Sequence, residues 1–125
     1  MHKRIFLFFL ALGLVACAAQ GETNYRRSSA VLTAEEIGEV IALTAYEAVR
    51  LTRPQWLRTR SSPTLGNPNP SSPVVYLDGV RVGKIDELER LRADVVEQME
   101  YLSPTDATNR FGTNHEGGVI LVTTR

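Results

Sequence analysis

Cysteine occurs once in these 125 residues, histidine twice and tryptophan once. A single cysteine, Cys17, excludes an internal disulfide framework. His115 is the only histidine beyond the first few residues, and with no second histidine or cysteine near it no zinc site is expected. No Gly-x-Ser-x-Gly elbow or lysine-activated serine accompanies it, so nucleophile–base chemistry finds no candidate pair. His115 therefore reads as a solvated loop side chain. Gly112 to Gly118 has the wrong spacing for a phosphate-binding loop and precedes a strand, not a helix. Glu97 and Glu100, and Asp86, Glu87 and Glu89, read as solvent faces of a strand and a helix. No catalytic residue, metal or cofactor is expected. An excess of one charge is also missing: 14 basic side chains face 14 acidic ones, which gives nothing to attract nucleic acid.

Long hydrophobic runs are absent except at the N-terminus, where Ile5–Val15 follows the basic His2-Lys3-Arg4. A bilayer-spanning helix needs roughly 20 apolar residues, so this stretch is the h-region of an export signal. It ends in Leu14-Val15-Ala16-Cys17, which resembles a bacterial lipobox. Residues 1–16 are then removed and Cys17 is acylated, which anchors the chain to a membrane surface and disposes of a lone exported thiol. Ala18, in place of an aspartate, implies the outer membrane by known sorting rules, with the domain facing the periplasm.

Residues 17–29 are polar and without period, as expected of a tether. The domain is predicted over 30–125. A short strand at Ala30-Val31-Leu32 leads into Thr33-Ala34-Glu35-Glu36, a capping box. Ile37, Val40, Ile41, Thr44, Ala45, Ala48 and Val49 follow at spacings of three and four, predicting an amphipathic helix of about four turns, with an interruption near Leu43 as the variant. Pro54 ends it. Trp56 and Leu57 admit two readings: they close the core beside the helix end, the simpler account, or they anchor an interface. Arg50, Arg53, Arg58 and Arg60 read as a helix end and a basic loop ahead of an anion site. The Pro- and Ser-rich 58–73 stretch reads as a loop without core residues.

The second half carries the stronger signals. Val74–Leu77 and Val80–Val82 flank Asp78-Gly79, a type I′ hairpin signature that requires positive φ at both turn residues. Ile85–Leu91 reads as a short helix, Val96–Leu102 as a strand, and Ser103-Pro104 as the start of a helical turn with Asp106 at its third position. In Gly118–Thr124 the unbroken Val119-Ile120-Leu121-Val122 suits a strand buried on both faces.

Taken in order, Val74-Val75-Tyr76-Leu77-Asp78-Gly79-Val80, Val96–Leu102, Phe111-Gly112 and Gly117-Gly118 through Arg125 resemble the plug domain of TonB-dependent outer-membrane receptors. That family reads a "VxVDG" hairpin, an "IExIEVL" strand, a small-residue helix ending in "YG", and "GGVIxITT". Ala107 stands at the small-helix position, and Phe111 replaces the tyrosine. The resemblance marks Asp78, Gly79, Gly112, Gly117 and Gly118 as motif positions. It implies an α+β fold, a small mixed β-sheet with packed helices in β-α-β-β-α-β-α-β order. The chain as read stops at Arg125, short of the roughly 9–11 residues per strand that a barrel would take, so the receptors' transport role is not expected. The expected function is a non-enzymatic outer-membrane lipoprotein whose monomeric plug-like domain binds another outer-membrane or periplasmic protein. The alternative is a carrier of a small ligand such as a nutrient or metal chelate, held by the 58–73 and 109–117 loops.

Overall fold

A computed structural model describes residues 29–59 and 71–125. The expected signal segment, Cys17 and most of the expected tether fall outside the described residues, as do positions 60–70 of the Pro/Ser-rich stretch. The strands are β1 (Val31–Thr33), β2 (Val74–Leu77), β3 (Val80–Lys84), β4 (Val96–Leu102) and β5 (Val119–Thr124). They form one mixed sheet in the order β1-β4-β5-β2-β3, an open sheet with helices packed on it, so the fold is α+β as expected. β5 lies between β4, which it meets antiparallel, and β2, which it meets parallel. That central place explains the unbroken apolar run: Val119 and Ile120, which point to opposite faces, are both fully buried.

The helices are α1 (Ala34–Gly38), α2 (Ala45–Thr52), α3 (Glu87–Arg90) and α4 (Pro104–Phe111). Thr33 caps α1 in the predicted box, its hydroxyl accepting from the Glu36 amide while the Glu36 carboxylate accepts from the Thr33 amide. Ser103 caps α4 in the same manner through the Asp106 amide.

The single four-turn helix does not form; the chain breaks between α1 and α2, as the interrupted variant has it. Thr44 begins a new helix by accepting from the Glu47 amide, and the Glu47 carboxylate accepts from the Leu43 amide at 2.8 Å. The backbone around them is also claimed by the segment before β4. Ala93 N–H donates to the Leu43 carbonyl, Ala45 N–H to that of Leu91, and Thr44 pairs with Arg92 as an isolated bridge. These bonds compete with helical ones and win, leaving Ile41 97% exposed where the periodicity placed it in the core.

Two layers flank the sheet. On one face Leu32, Val75, Val96, Met99, Ile120 and Val122 meet α1, α2 and α3 through Ile37, Ala48, Val49 and Leu88. On the other, Val74, Tyr76 and Val119 meet Ala107 of α4, with Leu102, Phe111 and Leu121 half-buried around them. Pro73 is fully buried, so the loop's last residues join the core, contrary to the expectation for 58–73. No helix among the described residues is long and apolar enough to cross a membrane.

Candidate functional site

The motif positions come first, because each is tied into the fold. Asp78 (φ 48°) and Gly79 (φ 83°) form the turn between β2 and β3, with the positive φ at both positions that the hairpin signature requires. The Asp78 carboxylate reaches across to the end of β5, accepting from the Thr124 amide at 2.9 Å and the Thr124 hydroxyl at 2.7 Å. Its own amide donates to the Val122 carbonyl. The bond from the Thr124 amide, then that from its hydroxyl, holds the carboxyl below the usual carboxylate range. Asp78 is thus a clasp between the hairpin and the central strand.

Gly112 ends α4, its amide donating to the Thr108 carbonyl, and Gly118 lies beneath the Leu102 carbonyl. Gly117 is needed for close approach: a Cβ there would stand 2.3 Å from the Ser72 carbonyl oxygen. Gly117 thus lets the chain entering β5 run against the chain entering β2, and Gly118 lets it run against the end of β4.

Between Gly112 and Gly117 the structure overturns an expectation. His115 is not solvated; it is 3% exposed and turned into the sheet. Its Nδ1 lies 2.9 Å from the Gly112 carbonyl, which can only accept, so Nδ1 carries the proton. In the neutral ring Nε2 then accepts from the Tyr76 hydroxyl at 3.1 Å. Phe111 stacks on Tyr76 with ring centroids 4.4 Å apart, and the Arg110 guanidinium lies 5.4 Å from the Phe111 centroid. Two polar groups are buried with their hydrogen bonds made, which is why the loop can close over the sheet. The sequence held one usable signal, the aromatic pair Tyr76 and Phe111; nothing in the spacing pointed to His115.

Trp56 belongs to the core. It is 2% exposed, its indole N–H donates to the Ser29 carbonyl at 3.1 Å, and its ring stacks on Tyr101. The interface-anchor reading of Trp56 is therefore corrected: a short 3-10 turn at Pro54–Leu57 folds the indole inward. Leu57 is half-buried against the same cluster. The arginine group divides as well. Arg53 is drawn in to pair with Glu36 at 3.0 Å and to donate to the Val31 carbonyl, while Arg50 and Arg58 stay exposed. An open cleft of about 450 Å³ lies beside Trp56, Tyr101 and Arg58. Among the described residues no three His, Cys, Asp or Glu side chains stand close enough to hold a metal.

The chain matches no protein-family model, no curated protein and no solved structure.

Val80, Arg81, Val82 and Lys84 of β3 are exposed, and so are Ile41 and Leu43 in the bend between α1 and α2. Arg92 and Asp94 beside that bend neutralise each other at 2.6 Å; the hydrogen bonds raise the arginine above its ordinary value and hold the carboxyl below its own.

Proposed function

We propose that this chain is a non-enzymatic envelope lipoprotein, anchored in the outer membrane through Cys17, whose plug-like domain binds another protein of the envelope. One observation supports it above the others. The residues that sequence reasoning would draft into a ligand or catalytic site, His115, Asp78 and Arg53, are engaged in holding the fold. On the β3 sheet edge, by contrast, exposed Val80 and Val82 stand beside the unpaired Arg81 and Lys84, an edge a protein surface could meet, while the exposed Ile41, Leu43, Leu51 and Val95 are spread over the helical side.

The anchor and the partner are tested together. Metabolic palmitate should label the wild type and not Cys17→Ser, and label persisting in that variant would end the lipoprotein reading. Capture from detergent-solubilised envelopes, with Cys17 intact, should recover one protein at a fixed ratio; recovery of the domain alone would end the partner reading. A second reading, a small-ligand carrier, has the cleft beside Trp56 and Arg58 in its favour. Against it, the 109–117 loop is filled by its own histidine.

A further inference from the structure

β3 closes the sheet order on one side, and no described strand pairs with its outer edge. Residues directly opposite one another in a sheet share a face, so the register assigns each side chain of β3. Arg81 stands opposite Tyr76 and Lys84 opposite Val74, which places both cations on the α4 face. Val80 stands opposite Leu77, on the face that carries α2 and α3. The register shift between Val75 and Tyr76 leaves Val82 as the extra residue, 40% exposed. With Leu77, Leu91, Glu87 and Arg90 it lines a groove of about 150 Å³ along the strand. Arg90 and Glu87, three residues apart on α3, neutralise each other at 3.3 Å on the helix side of that groove. Arg81 and Lys84 have no ion partner among the described residues. The edge thus has an apolar side and a basic side, and its outer backbone groups face no described strand.

Resting on the partner-binding reading above, we propose that the outer edge of β3 takes up an extended acidic segment of the partner protein as a sixth strand, with apolar and acidic residues alternating along it. Main-chain bonds to a free edge supply affinity whatever the sequence, and alternate side chains supply the choice. A strand with period two would set its apolar residues beside Val80 and the Val82 groove, and its carboxylates beside Arg81 and Lys84. The same cations argue against a second copy of this chain, since pairing β3 with itself would bring both copies' Arg81 and Lys84 to one seam. Charge therefore closes this edge to self-association and leaves it open to an acidic strand.

Two blocked synthetic peptides about as long as β3 test this on the full chain, one alternating valine with glutamate and one alternating valine with lysine. The acidic peptide should slow hydrogen exchange at the Val80–Lys84 amides. It should bind at least about ten-fold tighter than the basic one, with the gap shrinking in high salt. Arg81→Glu combined with Lys84→Glu should reverse the preference, and both positions are exposed, so an unchanged thermal melt certifies the variant. An acidic peptide that leaves these amides untouched would overturn the proposal. So would equal binding of the two peptides, or a preference that survives the double variant. Envelope capture with that variant separates the two levels. Unchanged capture overturns the edge while the partner reading stands; wild type that captures nothing overturns both.

Discussion

Among the described residues the sheet buries thirteen hydrophobic residues in one cluster on its α2 face and four on its α4 face. The first cluster is held by non-directional packing of Leu, Ile, Val, Met and Trp over three helices, where each side chain has many neighbours. The second rests on one helix and a loop, and it uses stacked rings and a chain of hydrogen bonds from Tyr76 through His115 to Gly112. Apolar burial is proportional to area, so the thin face has little of it to offer. Directional bonds make up the difference, and a loop that closes by such bonds is more sensitive to a single polar substitution. The difference predicts where each face breaks and how far the break spreads.

The largest effect belongs to the thick face. Trp56→Ala removes an indole that is almost fully buried, bonded to Ser29 and stacked on Tyr101. Urea melts should show a loss of about 3–5 kcal/mol, and the loss should be global because the cluster spans α1, α2, α3 and four strands. A loss under about 1 kcal/mol would mean that the indole is not core and would restore its reading as a contact residue.

The thin face should give a smaller and more local answer. His115→Phe leaves the Tyr76 hydroxyl and the Gly112 carbonyl without their buried partner, at a cost of about 1–3 kcal/mol. Tyr76→Phe should cost about 1 kcal/mol, and a double-mutant cycle of the two should show coupling of about 0.5–1.5 kcal/mol. Amide exchange should speed up over Phe111–Gly118, while the β4–β5 pairing keeps its protection. A cycle with no coupling would show that this face, like the other, is held by apolar contact alone.

The contrast also decides what the sequence could tell. Elements of the thick face announce themselves through local patterns: the Thr33 box, the strand-forming stretch Val96–Leu102, the run Val119–Val122. Hydrophobic periodicity is a local record of a burial that does not care which partner supplies it. The same record misled at Val40 and Ile41, where the helical spacing continues but the backbone just beyond, at Leu43–Ala45, is claimed by Leu91–Ala93, some fifty residues on. His115 failed for the same physical reason. Its burial depends on a hydroxyl 39 positions away, and no spacing rule reports a bond of that reach. The β3 edge was half legible, since Asp78-Gly79 revealed the hairpin, yet its being outermost follows only from β5 pairing with β2 in parallel.

The smallest expected effect lies where both faces share a seam. Asp78 joins the β2–β3 hairpin to the end of β5, and those strands carry side chains to the thick and the thin face alike. Its folded carboxyl is held below its ordinary value, chiefly by the Thr124 amide. The stabilisation is therefore fully present above the unfolded value of about 3.9 and is lost as the pH falls through the lower folded value. Asp78→Asn keeps an oxygen for the Thr124 amide, sets an amide NH2 against the Thr124 hydroxyl, which can turn to accept from it, and lacks the charge, so it removes chiefly the pH-dependent part. Wild type should be slightly more stable than the variant near pH 7, and the two urea midpoints should converge in acid once the pH has fallen through the lowered folded value. A gap of constant size across that range would mean that the clasp depends on shape and not on charge. Its loss should then appear as fraying of the hairpin alone, with neither face disturbed.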